Sequence, residues 1–251
     1  MVKNKCAKRF SVILPVLNDL KFGYLERNLS EHSDNRDLEI ICIDGGSIDG
    51  TDSIADRVEV KFISLPNSNR AQRINRGIQE SKGKWVIVVH PRSYLSRECL
   101  EDLASNTLTA SWGAWTHSFD LRHPILIFTS WYSNHIRGDL RSIFYLDHCL
   151  FIHRALLDQL KDPLVPEIPI FEDTQFCARL RNLQKGRRLK TKTETSAVRF
   201  EKNGILKQCL INLTCKLRYL SKGDLSKVNQ LYETNLRLNE EKKQRNCLTK
   251  C

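Results

Sequence analysis

The sequence predicts an α/β protein built on a mostly parallel central sheet flanked by helices, and three observations predict it. Four apolar runs rich in branched residues recur in the first ninety positions: 10–17 (FSVILPVL), 38–44 (LEIICID), 58–65 (VEVKFISL) and 84–89 (KWVIVV). The runs are continuous rather than alternating, as expected of strands covered on both faces. Helix-forming stretches separate them, at about 19–31, 51–56 and 70–81. Strand and helix alternating at this spacing give an open parallel sheet.

Each element has its own warrant. The 10–17 run follows a basic KNKCAKR segment and so imitates a secretion signal. It is short, holds a proline, lacks a small-residue cleavage site and leads into a polar Asn18-Asp19, which makes it a first strand. The helix over 70–81 starts after PNSN, where Ser68 or Asn69 can cap it, and stops at Gly83. After residue 95 the rhythm changes. A helix is expected near 96–106, a strand over SWGAWTHSF, an apolar stretch from Pro124 to about Ile136, and another strand at LDHCLFIHR. EDTQFCARLRNLQ reads as an amphipathic helix with Phe176, Leu180 and Leu183 on one face. RRLKTK and SAVRFE read as two short strands, and 204–220 as a C-terminal amphipathic helix with apolar residues on more than one stripe. From Asp224 the tail is polar, a frayed helix or disorder.

Charge is unevenly placed. Of the net +11, residues 1–175 contribute 21 Lys and Arg against 23 Asp and Glu, whereas 176–251 carry 19 against 6. A basic last third suits nucleic acid, anionic lipid, a phosphorylated ligand or plain solvent. Nucleic acid is set aside, because no module with base-stacking aromatics accompanies the charge. The nine cysteines are scattered singly with no CxxC, which argues against a disulfide framework or zinc ribbon and for a reducing compartment. Cys42, Cys149 and Cys177 sit within apolar patterns, as small core residues do. No run reaches the ~18–20 apolar residues of a membrane span.

Three stretches can carry chemistry. In ICIDGGSIDGT, Asp44 ends the second strand, Gly45 and Gly46 let backbone approach closely, and Asp49 follows. Such a strand end suits a nucleoside, or else is a turn capped by its own Asp and Ser. It is not a dinucleotide fingerprint, and no phosphate-binding Walker lysine loop is present. NSNRAQRINRGIQESKGKW places Arg70, Arg73 and Asn75 at a helix start, a phosphate cradle or a solvated basic face. IFEDTQFCARLR opens a helix with Glu172 and Asp173, which are catalytic carboxylates or simply a good helix start.

Taken in order, these pieces resemble a family-2 glycosyltransferase of the GT-A fold from about Phe10 to Gly223. The likeness is greatest to the small bacterial transferases encoded beside radical-SAM and arsenosugar genes. Its signposts are SVILPVLND, IDGGSIDGT, NRAQRINRGIQESKGKWVIVVH, FEDTQFCARLR and TSAVRFEKNGIL. The resemblance implies transfer of a sugar, with inversion, from a nucleoside-diphosphate donor to an acceptor hydroxyl. It implies one domain over 1–223, with 10–95 the nucleotide half and 96–223 the acceptor half, followed by the 224–251 tail. It places Asn18 on the nucleotide side, Asp44, Gly45 and Asp49 at the nucleoside, and Arg70 and Asn75 near base or phosphates. Asp173 becomes the general base beside Glu172, and Arg179 an acceptor contact or a brace for the acidic loop.

One corner departs from the family. The fourth strand of relatives ends in an acidic signature whose last aspartate holds Mn²⁺ or Mg²⁺, and here HPRS stands there, with Arg92 at that position. Arginine cannot ligate a cation, and His90 alone is a poor ligand for a hard ion. A metal cofactor is therefore disfavoured, and Arg92 with His90 is expected to meet the diphosphate instead. The alternative is a non-catalytic relative that binds nucleotide or a partner. LDHC also departs, since the family pattern has glutamine after the aspartate that aligns with Asp147, which the resemblance places among the substrate-binding residues. The expected location is cytoplasmic. An anionic bilayer is a candidate surface, with helix 204–220 either in the interface or packed on the sheet, and a lipid-linked acceptor would then be near Asp173.

Overall fold

The structure, a computed structural model, describes residues 8–57 and 59–233. The chain runs β1 (Phe10–Val16), a 3-10 turn at Leu20–Phe22, α1 (Tyr24–His32), β2 (Leu38–Asp44), a 3-10 turn at Thr51–Asp56, β3 (Val60–Ser64), α2 (Arg70–Glu80), β4 (Trp85–Val88) and β5 (Ser93–Tyr94). There follow α3 (Arg97–Ser105), β6 (Trp112–Phe119), α4 (Pro124–Trp131) with a π-helical continuation over Tyr132–Leu140, a 3-10 turn at Leu146–His148 and β7 (Leu150–His153). The last elements are α5 (Arg154–Leu157), α6 (Glu172–Leu183), β8 (Arg187–Thr195), α7 (Val198–Asn203), α8 (Ile205–Leu220) and α9 (Leu225–Tyr232).

The eight strands form one sheet in the order β3-β2-β1-β4-β7-β6-β8-β5. β3, β2, β1 and β4 are mutually parallel, as their unbroken apolar runs require. β7 then enters antiparallel to both β4 and β6, while β6 and β8 are parallel. This second half curls for a geometric reason. Val88 ends β4 and Ser93 begins β5, four strands away in the order. Four strand spacings would cover ~19 Å in a flat sheet, and five residues reach at most ~17 Å. Folding the edge over closes that gap and brings the β4 end beneath β5 and β8.

Apolar side chains fill both sides of the sheet. One cluster joins Val12, Leu14, Ile40 and Ile87 to Leu25, Leu29 and Leu103, and the other joins Ile13, Val86 and Val88 to Ile74, Ile78, Phe176 and Leu180. Buried free Cys42, Cys149 and Cys177 take their places as core residues. Leu183, expected on the inner face of α6, is 42% exposed because the helix ends there.

Several expectations change in detail. The helix expected over 19–31 is interrupted at Gly23, whose φ of 74° ends the 3-10 turn before α1 begins. RRLKTK and SAVRFE are not two strands. β8 runs on to Thr195 because β6 pairs with it up to Phe119↔Thr195, and β5 takes Thr195 and Glu194. The following segment turns helical, with Ala197 N–H held by Asp120 and Phe200 buried against Leu126, so tertiary contacts override the β-propensity of Val and Phe. The start of the polar tail forms α9, capped by Asp224 and packed on α8 through Val228, Ile211 and Cys215. The expectation for 234–251 lies outside the described residues.

Gly113 shows how tightly the curled half is joined. A Cβ there would fall on the Arg187 carbonyl where β6 meets β8. Gly113→Ala is expected to cost about 2–4 kcal/mol of stability, read by denaturant unfolding. A loss under about 0.5 kcal/mol would contradict this close approach.

Candidate functional site

The curl encloses a cavity of about 310 Å³ at the C-terminal edge of β4. Its walls come from both halves of the chain: Arg70, His90 and Arg92 on one side, and His117, Tyr145, Asp147, Asp173 and Arg199 on the other. Five of the residues expected from sequence thus converge here, namely Arg70, His90, Arg92, Asp147 and Asp173.

The β4 corner is a site of packed donors. Arg92 is buried and donates through one guanidinium nitrogen to Asp19 Oδ1 at 3.2 Å. Asp19 also takes the Leu17 N–H, on Oδ2 at 2.9 Å. Burial pushes the Asp19 carboxyl up and the Arg92 guanidinium down, despite their attraction. The Arg92 backbone N–H donates to His90 Nδ1 at 3.1 Å. Burial, with Arg92, Arg70 and Arg199 nearby, holds His90 well below the usual imidazole range, so the ring is neutral and its proton sits on Nε2. That nitrogen lies 3.4 Å from the other Arg92 terminal nitrogen. Two N–H groups side by side suit an anionic oxygen. They do not suit Mn²⁺ or Mg²⁺, which need converging oxygens. Asp19 is already turned to Arg92, and no group of three His, Cys, Asp or Glu among the described residues could hold an ion.

The carboxylate side is set by α6. Phe171 precedes it with φ 66°, which turns Glu172 and Asp173 inward. Glu172 accepts from Arg70 Nε, and its Oε2 has no hydrogen-bond partner. Glu172 therefore backs Arg70 rather than lining the cavity. Asp173 accepts from Leu146 N–H at 3.3 Å and Thr174 N–H at 2.6 Å. Burial, then the Glu172 charge, pushes its carboxyl up to about 7 against the pull of Arg70. Asp147 lies below the usual carboxylate range, because His117, His148, Arg137 and Arg70 outweigh the opposing effect of burial. His117 Nε2 stands 3.5 Å from Asp147 Oδ2, and neither His117 Nε2 nor Asp147 Oδ1 has a hydrogen-bond partner.

The remaining expected residues lie off the cavity wall and hold loops. Asp44 accepts from Gly46 N–H and Ser47 N–H in its own turn. Asn18 takes Ile48 N–H, and Asp49 takes Leu20 N–H, which ties the two loops together. Asn75 grips Val165 at both backbone groups. Arg179 donates to the Pro163 and Leu164 carbonyls in the loop before α6. Gly45 leaves room for Arg73, a buried guanidinium with an unpartnered Nε that burial pulls down to about 10.

Sequence reasoning missed Asp19 as the partner of Arg92, although its place straight after β1 was a signal. It also missed His117 and Tyr232. These come from a strand read as structural and a tail read as polar. Tyr232 lines the cavity, and its carbonyl and Glu233 hold Arg199.

Asp173 makes a testable contribution to stability. A folded-state value near 7 against an ordinary 3.8 means the native protein holds an extra proton between those limits. Stability should therefore fall as pH rises through that window, by on the order of 4 kcal/mol in total. Asp173→Asn should remove the slope, so that the variant gains on the wild type as pH rises from 4 to 8 in thermal melts. Parallel pH profiles would show that Asp173 is not so shifted.

Residues 11–111 match the model of the glycosyl transferase family 2. No curated protein sequence matches. Among solved structures, TarS of S. aureus in complex with UDP superposes with a TM-score of 0.60 at 18% identity, over 89% of this chain and 69% of that one. The complex of TarS with UDP-GlcNAc gives 0.58 at 17%, over 89% and 70%. The mannosyltransferase PcManGT of Pyrobaculum calidifontis, in complex with GDP-Man and Mn²⁺, gives 0.59 at 13%, over 91% and 70%. A longer TarS structure, at 16% identity and a TM-score of 0.58, is matched over 91% of this chain but only 44% of its own. This chain thus spans less than half of that protein. Residues 11–111 carry a family-2 glycosyltransferase match within a chain that adopts the GT-A fold.

Proposed function

We propose that the protein transfers a sugar from a nucleoside-diphosphate donor to an acceptor hydroxyl, with inversion and without a divalent metal. One observation carries the reading: a buried arginine–histidine donor pair and a carboxyl raised to about 7 face a shared cavity in a GT-A fold. Solved neighbours of that fold bind UDP, UDP-GlcNAc or GDP-Man. The likeness to the small radical-SAM-associated and arsenosugar-associated transferases is part of the same proposal, as are the cytoplasmic location and the division at residue 95.

In this reading, the loops that hold Asn18, Asp44, Gly45 and Asp49 receive the nucleoside, and the diphosphate lies at His90 and Arg92. Ionised Asp173 takes the proton of the acceptor hydroxyl. The oxygen bonds to the anomeric carbon from the opposite side as the carbon–oxygen bond to the diphosphate breaks. The leaving charge is met by Arg92 and the His90 Nε2–H, with Arg70 on the same wall and the Arg199 charge acting from across the cavity. Glu172 holds Arg70 in position. Asn75 and Arg179 fix the loop that leads into α6.

Titration calorimetry with UDP, GDP and their sugars, with and without EDTA, tests this. At least one donor should bind in EDTA with an affinity within a few-fold of that in Mn²⁺. Binding that requires Mn²⁺ would rule out the metal-free mechanism. Failure of every nucleotide to bind would rule out the donor itself.

A further inference from the structure

Eight large apolar side chains are displayed by just two helices. On α8, Leu206, Leu210, Leu213, Leu217 and Leu220 recur at steps of four and three and are 53–74% exposed. On α4, Ile127, Phe128 and Trp131 are 49–61% exposed, and the last two rings stack at 5.8 Å. The helices lie side by side. Leu126 packs with Ile205 and Cys209, and Lys216 Nζ reaches Tyr132 Oη at 3.4 Å. Their inner sides face the core and the cavity, which Thr129, Tyr132, Asn212 and Lys216 help to line. The apolar rows are therefore the outer sides of the two helices that wall the site.

We infer that this α4–α8 face docks on an anionic phospholipid bilayer, and that the acceptor is a membrane-borne, lipid-linked hydroxyl compound entering between the two helices. Charge selects the partner. α8 carries Lys207, Lys216 and Arg218 and no acidic residue, while the flanking Arg122, Lys202 and Lys222 are balanced by Asp120, Glu201 and Asp224, so the excess is that of α8 itself. In a second copy of this chain, two such helices would set cation against cation beside the leucine row, which opposes pairing. Anionic headgroups supply the missing countercharge, while leucines and a tryptophan enter the acyl boundary. No described helix is long and apolar enough to cross a membrane, so the helices lie in the interface rather than span it. The lipid-linked acceptor rests on the transferase reading; the docking does not.

The test is flotation of the full chain with vesicles of phosphatidylcholine alone or mixed with phosphatidylglycerol. Leu210→Glu/Leu217→Glu serves as the variant, with melting temperature and nucleotide affinity measured alongside. The wild type should float with the anionic vesicles, less so at high salt. The variant should lose at least ~10-fold in partitioning with melting and nucleotide affinity unchanged. Three results would overturn the docking: equal recovery on both vesicle types, equal recovery of wild type and variant, or a dimer by light scattering that the variant dissolves without any vesicle binding. Transfer to a water-soluble glycoside as fast as to the same sugar hydroxyls carried on a vesicle-borne glycolipid would overturn the acceptor assignment alone. Loss of nucleotide binding by the wild type would instead count against the transferase reading and leave the docking result standing.

Discussion

Where β1 and β4 end side by side, Asp19 and Arg92 meet at 3.2 Å with almost no access to water. Taking both charges out of water costs several kcal/mol each, and one hydrogen bond between them is a thin return. The shifts agree: burial moves each partner toward its neutral form even with the other beside it. The guanidinium has five donors and spends one on Asp19, while the neutral His90 places another N–H beside it. A pair strained in this way is poised to accept a stronger anion. That is the physical basis for reading the corner as a diphosphate site rather than as a structural ion pair.

Topology decides what faces this corner. The short link from β4 to β5 forces the second half of the sheet to fold over, so β6, β8 and the start of α6 stand across the cavity from Arg92. Asp173 then occupies a dry wall beside the negative charge of Glu172, and those two effects raise its carboxyl to a range useful for a base near neutral pH. Arg70 reaches from α2 to Glu172 at the start of α6 and ties the two halves of the sheet together at the site.

The first half of the fold was legible because its signals are local. Unbroken apolar strands, the Asn69 capping box and the glycine after Asp44 all state their structures within a few residues. The second half was less so. β8 is held by pairing with β6 and β5, and α7 by Asp120 and Leu126, none of which the SAVRFE stretch reveals by itself. At the site, Arg92 and Asp173 stood out by their place in the motif order. Asp44, Asn18 and Asp49 stood out equally, yet their side chains are engaged within and between their own loops. A motif shows which residues the backbone brings to a strand end. It does not show which way each carboxylate turns.

In the proposed reaction Arg92 meets the β-phosphate of the donor. The most direct measurement compares UDP with UMP, or GDP with GMP if the base is guanine, binding to wild type and to Arg92→Gln in EDTA. Wild type should favour the diphosphate by at least ~10-fold, and the variant should lose this preference while holding the monophosphate almost unchanged. An equal preference in both proteins would contradict that contact.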